Sequence, residues 1–370
     1  MYQMKINLKQ TLIIGIGVVA IFLSACSKDE SGSPEEPIIP IKGLYILNEG
    51  SFMTPGSSSL SYLDFTTDEV AKNIFSTNNK NHSLGNGLAD MDVYGSLLFI
   101  TATESNKIEV LNASTAKVLK TITVDKPRFI AFYNGKAFVT TYSNKVVVID
   151  TLNKTITGEI KVGRTPEHIV TLGDRLYVAN SGSHDAITGQ PEGYDNTISI
   201  INPNSLIVEG EIEVADNVYN LFTDGEAHLY ANTSDVYEGV YPNSTLAYPS
   251  KLYKINIKEK KIDKAFDFGV THMVFYQGGA IFISNNKEAG ANLYTMSLSS
   301  SEPRKSDLIK PENLNYPYFP YALSVNPENG DLWYAKSDFE FDGTVYHHKN
   351  GSNQVREYTA GLNPSIFVFR

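Results

Sequence analysis

The C-terminal segment Asn363–Phe369 (NPSIFVF) has the pattern of a first β-strand that the start of the folded chain lacks. Near the other end, Gly43–Asn48 (GLYILN), Ser58–Asp64 and Val70–Phe75 read as the second, third and fourth strands of the same unit. A chain whose last strand completes its first repeat must bring its termini together. The architecture that uses such a closure is a ring of sheets with no free edge. A β-sandwich or an open solenoid also accepts short antiparallel strands, but neither needs its ends to meet.

The complete repeats lie between these two ends. The clearest is Pro166–Val214, with strands at Pro166–Leu172, Arg175–Asn180, Asn196–Asn202 and Ser205–Val214. Each strand alternates apolar residues or carries a short apolar run, and Gly, Asn, Asp or Pro marks each turn. The same pattern recurs at Leu88–Val124, Pro127–Val162, Asn217–Phe268, Thr271–Leu308 and Pro320–Tyr358. With the split copy this makes seven. The spacing predicts an all-β fold, a seven-bladed β-propeller of four-stranded antiparallel blades, closed by pairing of the C-terminal strand with the N-terminal blade. The copy starting at Thr271 is weak, which leaves six or eight blades open.

The first residues read as an address rather than a fold. Lys5 and Lys9 precede the apolar run Leu12–Leu23, and Leu23-Ser24-Ala25-Cys26 resembles the lipobox of bacterial lipoproteins. The alternative, a single membrane anchor, would need a longer apolar stretch. Cys26 is the only cysteine, so no disulfide framework is expected and lipidation would account for it. The expected organisation is a signal peptide at 1–25, a lipidated tether at 26–41 and the propeller at 42–370. Ser27-Lys28-Asp29-Glu30 resembles a surface-export signal of Bacteroidota lipoproteins, though an ordinary solvated tether has the same composition. An outer-membrane, lipid-anchored and surface-exposed location is therefore expected.

Loss of Lys5 and Lys9 with the leader takes the net charge from −10 to about −12. That sign argues against a phosphate-backbone partner, which needs a basic footprint.

Extra length collects between second and third strands, at Glu49–Ser57, Ser181–Asp195, Ser234–Ser250, Asn285–Gly290 and Ser337–Ser352. In an antiparallel blade these loops share one end with the connectors into the next blade. They therefore crowd one face around the channel mouth, where binding loops on a rigid ring belong. Aromatic candidates on that face are Tyr142, Tyr194, Tyr237, Tyr241, Tyr318, Phe319, Phe341 and Tyr346. Tyrosine offers rigid amphipathic contact area, but any one of these rings can equally fill a gap between blades. Arg128, Glu167, Tyr219 and His272 begin first strands in what read as equivalent positions, ringing the mouth. They either present hydrogen-bonding groups to a ligand or pair with one another.

No HExxH, CxxC, phosphate loop or Gly-x-Ser-x-Gly elbow is present. His347-His348 would point opposite ways on a strand, so no metal pair is expected. Asp338-Phe-Glu340-Phe-Asp342-Gly343 opens like a calcium loop but lacks the distal acid, since the twelfth position is Lys349. Asp150-Thr151-Leu152 fits a short bacterial O-glycosylation tripeptide that also occurs by chance.

The repeat PEHIV…DRLYVAN…DNTISIINPNSLIVEGEI resembles the YncE-like (YVTN-repeat) propellers. GLYILNEGSF after the Lys-Asp-Glu leader resembles the DUF5074 surface lipoproteins, a group similar to BtuG-type vitamin B12-capturing proteins. The resemblance implies a binding protein that captures cobalamin or a related corrinoid and passes it to a TonB-dependent outer-membrane transporter, BtuB-like. It implies a corrinoid as cargo, with no catalytic cofactor. It carries no ligand-contact motif, so the face residues above rest on loop geometry alone. Two other readings stand beside it. One is a lactonase- or lyase-type propeller enzyme using His82, His168, His272 or Glu167; the other is a glycan-binding or adhesion module.

Overall fold

The computed structural model describes residues 41–51, 53–182, 193–238, 245–286, 290–309 and 319–370. Seven four-stranded antiparallel sheets follow one another, each running from an innermost to an outermost strand. The first blade is β30 (Pro364–Phe369), β1 (Gly43–Asn48), β2 (Ser59–Asp64) and β3 (Glu69–Ala71). The second is β4 (Leu88–Tyr94), β5 (Leu97–Ala102), β6 (Lys107–Asn112) and β7 (Val118–Thr123). The third is β8 (Pro127–Tyr133), β9 (Lys136–Thr141), β10 (Lys145–Asp150) and β11 (Thr155–Lys161). The fourth is β12 (Pro166–Leu172), β13 (Arg175–Asn180), β14 (Thr197–Asn202) and β15 (Ile207–Glu213). The fifth, β16 (Val218–Thr223), β17 (Leu229–Thr233), β20 (Leu252–Asn256) and β21 (Lys261–Phe266), carries an extra hairpin, β18 (Val236–Glu238) with β19 (Thr245–Tyr248). The sixth is β22 (Val270–Tyr276), β23 (Gly279–Asn286), β24 (Gly290–Ser297) and β25 (Pro303–Lys305). The seventh is β26 (Phe319–Val325), β27 (Leu332–Ser337), β28 (Asp342–His348) and β29 (Val355–Leu362).

The core is divided among the interfaces between neighbouring blades. Side chains alternate across a strand, so each second strand feeds two interfaces. In β5, Leu98 and Ile100 pack towards the first blade while Phe99 packs towards the third. In β27, Leu332 and Tyr334 face the sixth blade, and Trp333 and Ala335 face the first. Both faces of these strands are therefore buried, which explains their near-continuous apolar runs.

Closure is made by β1 pairing with β30, from Leu44 opposite Phe369 to Asn48 opposite Pro364. Buried polar groups clamp the seam. Gly361 N–H donates to Asn48 Oδ1 at 2.9 Å, and Asn363 Nδ2 donates to the Gly50 carbonyl at 2.7 Å.

Two expectations need correction. Val70–Phe75 does not continue as a strand: β3 ends at Ala71, Asn73 enters the left-handed region, and α1 (Ile74–Asn78) sets Phe75 into the core. An outermost strand has one neighbour only, so a buried aromatic anchor outweighs three further ladder bonds. Ser337–Ser352 is not one long insert either. Its middle, Asp342–His348, is β28, which pairs with both β27 and β29. Only residues 338–341 remain as loop on the second-to-third end.

Thr151, in the candidate glycosylation tripeptide, is buried and its hydroxyl donates to the Gly135 carbonyl at 2.7 Å. That hydroxyl serves the turn and is not offered to an enzyme. The leader, Cys26 and the tether up to residue 40 lie outside the described residues.

Candidate functional site

All seven innermost strands break register near their first residues. The residues left out of the ladder include Ala89, Arg128, Glu167, Tyr219, Thr271, Tyr321 and Ser365. A bulge turns such a residue away from the regular pleat, here at the loop-bearing end of the channel. The carbonyls it frees are taken up by the neighbouring blade. Thr101 Oγ1 donates to Arg128 O at 2.6 Å, and Thr140 Oγ1 donates to Glu167 O at 2.8 Å.

Four of the sequence candidates meet in this ring. Arg128 Nε and Nη2 donate to Glu167 Oε2 at 3.0 and 2.9 Å, and Nη2 also donates to Tyr219 Oη at 2.9 Å. Tyr142, in the turn after β9, donates its hydroxyl to Glu167 Oε1 at 2.9 Å, and its ring lies 4.8 Å from the Arg128 guanidinium carbon. The Glu167 side chain is 3% exposed and that of Arg128 15%. Burial pushes the Glu167 carboxyl up, against the pull of Arg128 and the two side-chain hydrogen bonds. Burial also works against the Arg128 charge, but Glu167 and the two tyrosines hold the guanidinium more firmly protonated than usual. Tyr219 is pushed up to about 12, chiefly by burial and then by Glu167. The quartet is thus a pre-paired, nearly neutral hydrogen-bonding platform.

His272 is not equivalent to Arg128, Glu167 and Tyr219. Val270 opens the ladder opposite Ser284, so Thr271 takes the bulge and His272 falls one residue deeper. A one-residue offset on a strand changes the side a residue presents. His272 aligns instead with Asp90 and His168. These deeper groups reach the next blade: Asp90 Oδ2 accepts from Ile130 N–H at 2.8 Å, and His168 Nδ1 lies 2.7 Å from Leu221 O. Burial lowers His168 and His272 to about 4, and raises Asp90 to about 7 and Asp92 to about 6.

These shifts have opposite consequences for stability. Asp90 holds its proton in the folded chain but not in the unfolded chain between its ordinary 3.8 and about 7, so its contribution is full below pH 3.8 and is lost as pH rises to 7. The histidines bind protons only in the unfolded chain between about 4 and 6.5, so their contribution is present above 6.5 and lost as pH falls. Asp90→Asn removes one of the opposing dependences. The melting temperature of the variant relative to wild type is expected to rise steadily from pH 4 to 7. A difference that does not change with pH would contradict the assignment.

The remaining candidates separate. Tyr194 and Tyr237 come together, Tyr237 N–H donating to Tyr194 Oη at 3.2 Å and tying the β13–β14 insert to the β18–β19 hairpin. Phe341 is 64% exposed on the loop of 338–341. Tyr346 is not on this face: it sits in β28, buried and stacked on Tyr334 with ring centres 4.7 Å apart. Phe319 opens β26; Tyr241 and Tyr318 lie outside the described residues. Of the residues a propeller enzyme would use, Glu167 bonds Arg128 and Tyr142, His168 is held at the Leu221 backbone, and His82 is exposed on the connector before β4.

Tyr321 and Glu49 are not among the individual candidates that the sequence singles out. Tyr321 occupies the bulge of β26 and donates to Glu49 Oε2 at 2.6 Å. The signal was available, since Pro320-Tyr321 repeats the Pro-x opening of Pro127-Arg128 and Pro166-Glu167.

Two cavities open beside the bulge ring. One, about 670 Å³, includes Tyr219, Thr271, Asp235 and Leu246 beneath the extra hairpin. The other, about 530 Å³, includes Tyr321, Glu49 and Phe339. Each falls in the range of small-molecule sites. No three metal-ligating side chains gather among the described residues. His347 bonds Asp331 and stacks on Trp333, Asp338 Oδ1 accepts from the Glu340 and Phe341 N–H groups, and Asp342 pairs with Lys72.

Among solved structures, the chain resembles hydrazine synthase from Kuenenia stuttgartiensis at 17% identity and a TM-score of 0.53, over 72% of this chain and 79% of that one. It also resembles apo AztD from Citrobacter koseri at 11% identity and a TM-score of 0.54, over 89% and 97%. At such identities the likeness is one of fold. No curated protein matches the chain. The model of a domain of unknown function, DUF5074, matches residues 42–355, nearly the whole ring, and the chain belongs to that family.

Proposed function

We propose that the loop-bearing face captures a small-molecule nutrient, a cobalamin or related corrinoid, and passes it to a TonB-dependent outer-membrane transporter while Cys26 holds the protein in the outer membrane by its lipid. The observation that carries a binding role is the Arg128–Glu167–Tyr142–Tyr219 quartet at the mouth, flanked by cavities of about 670 and 530 Å³. A platform whose polar groups are already paired needs little reorganisation on binding, and preorganisation raises affinity by lowering that cost. Exposed Tyr237, Leu246 and Tyr248 add apolar contact for a large ligand with a polar rim. The corrinoid itself is suggested by the family resemblance at Gly43–Phe52.

The test is isothermal titration of the full chain with cobinamide and cyanocobalamin. Saturable binding is expected, and ligand at about a hundred times Kd adds about 2.7 kcal/mol of stability, visible as a higher melting temperature. Absence of affinity for either corrinoid would reject the reading. Turnover of a lactone panel, or glycan-array binding, in that same protein would point to one of the other two classes.

A further inference from the structure

The 530 Å³ cavity has a chemistry of its own. It lies between the β1–β2 loop and the 338–341 loop, and its charged lining residues are Glu49 and Glu104, with no lysine or arginine among them. Lys126 reaches Glu104 Oε2 at 3.1 Å from outside the lining; both side chains are substantially exposed, so solvent screens that pair. Glu49 is fixed by the Tyr321 hydroxyl on Oε2, and its other oxygen has no partner among the described residues.

The apolar part of the wall is equally specific. The Tyr321 and Phe339 rings meet edge to face with centres 5.3 Å apart. Phe339 has φ 64°, the left-handed region that bulky residues seldom occupy, and is 48% exposed. That backbone, which a glycine would adopt without strain, holds an aromatic ring at the cavity instead of in a blade. Met53, 85% exposed, and Pro55 complete the apolar side.

Two carboxylates repel an anion and attract a cation. Ring faces beside them add cation–π attraction and cover an alkyl stem. A primary ammonium matches this set better than a metal ion, because Met53, Pro55 and the Phe339 ring present carbon and sulfur beside the carboxylates. We propose that this cavity binds a protonated primary alkylamine, with the ammonium at Glu49 and Glu104 and the stem along Met53, Pro55 and Phe339. The site goes beyond the nutrient-capture reading and does not rest on it. A free amine and a lysine side chain of another protein present the same chemistry.

The full chain is titrated, without corrinoid, with n-butylamine, Nα-acetyl-lysine amide, 1-butanol and butyrate at pH 7. Both amines are expected to bind, with 1-butanol and butyrate at least about tenfold weaker, and added salt should weaken the amines. Glu49→Gln keeps an acceptor for Tyr321 and Glu104→Gln keeps the shape; each should weaken amine binding by about fivefold at an unchanged melting temperature. Phe339→Gly should weaken binding while relieving backbone strain, so it separates loss of the ring from loss of the fold. Tighter binding of the lysine amide would point to a protein side chain, and tighter binding of butylamine to a free amine. No amine binding by wild type, equal binding of 1-butanol, or Gln variants that bind as wild type does would each overturn the proposal.

Discussion

A chain ending at Asn363 is expected to lose its cooperative unfolding transition. Removal of residues 364–370 strips the innermost strand from the first blade and bares the whole edge of β1. Phe367 leaves the interface with the seventh blade, where it packs with Ile46, Trp333 and Val345, and Ile366 and Val368 leave the interface with the second. Truncation of one buried phenylalanine alone costs about 3–5 kcal/mol. Adding the lost ladder and the two flanking side chains brings the cost into the range of a domain's entire stability, about 5–15 kcal/mol. The exposed edge would also template association between chains. Thermal melts and size-exclusion chromatography of the truncated and full chains check this. A truncated monomer that melts within a few degrees of the full chain would show that closure is dispensable. Phe367→Ala, which keeps the strand, should fall between the two.

Glu167→Ala is the point substitution with the largest expected cost. It leaves the Arg128 guanidinium buried with the Tyr219 hydroxyl and the Tyr142 and Phe129 rings but no counter-charge. Removing one partner of a buried ion pair costs about 3–5 kcal/mol, because the survivor's charge has lost its compensation. The same logic makes the double change informative. Arg128→Met with Glu167→Leu removes both charges and should recover most of the loss, since apolar replacement of a buried pair is often close to neutral. Chemical denaturation of the two single variants and the double variant gives the coupling. A single-variant loss below about 1 kcal/mol would mean that water reaches the pair and the platform is not preorganised. Ligand titration of the refolded double variant then measures the platform's contribution to binding, separately from its contribution to the fold.

Much of this molecule is legible in the chain. Strand positions such as Pro166–Leu172 and Arg175–Asn180 follow from alternation and turn residues, because a blade's second strand is buried on both faces and its outermost strand on little of either. Where that rule weakens, so does legibility. Val70–Phe75 lies at an outer edge, where one buried ring redirects the backbone. Thr344–His348 is a strand whose polar content reads as loop until His347 is seen against Trp333 and Asp331.

The candidate site divides the same way. The repeat alone brought Arg128, Glu167 and Tyr219 to one ring, because equivalent positions in a closed propeller must share a height along the channel. The split repeat alone required the termini to meet. What only the tertiary structure decided is which of those groups touch. Arg128 and Glu167 are 39 residues apart, and Arg128 and Tyr219 are 91 apart. The bulges at Arg128 and Glu167 are held by hydrogen bonds from a neighbouring blade. A one-residue difference in such a bulge sends Thr271 to the mouth and His272 into the channel. Periodicity fixes which side of a strand a residue lies on; the place where the ladder breaks is fixed by partners distant in the chain, and no local pattern records it.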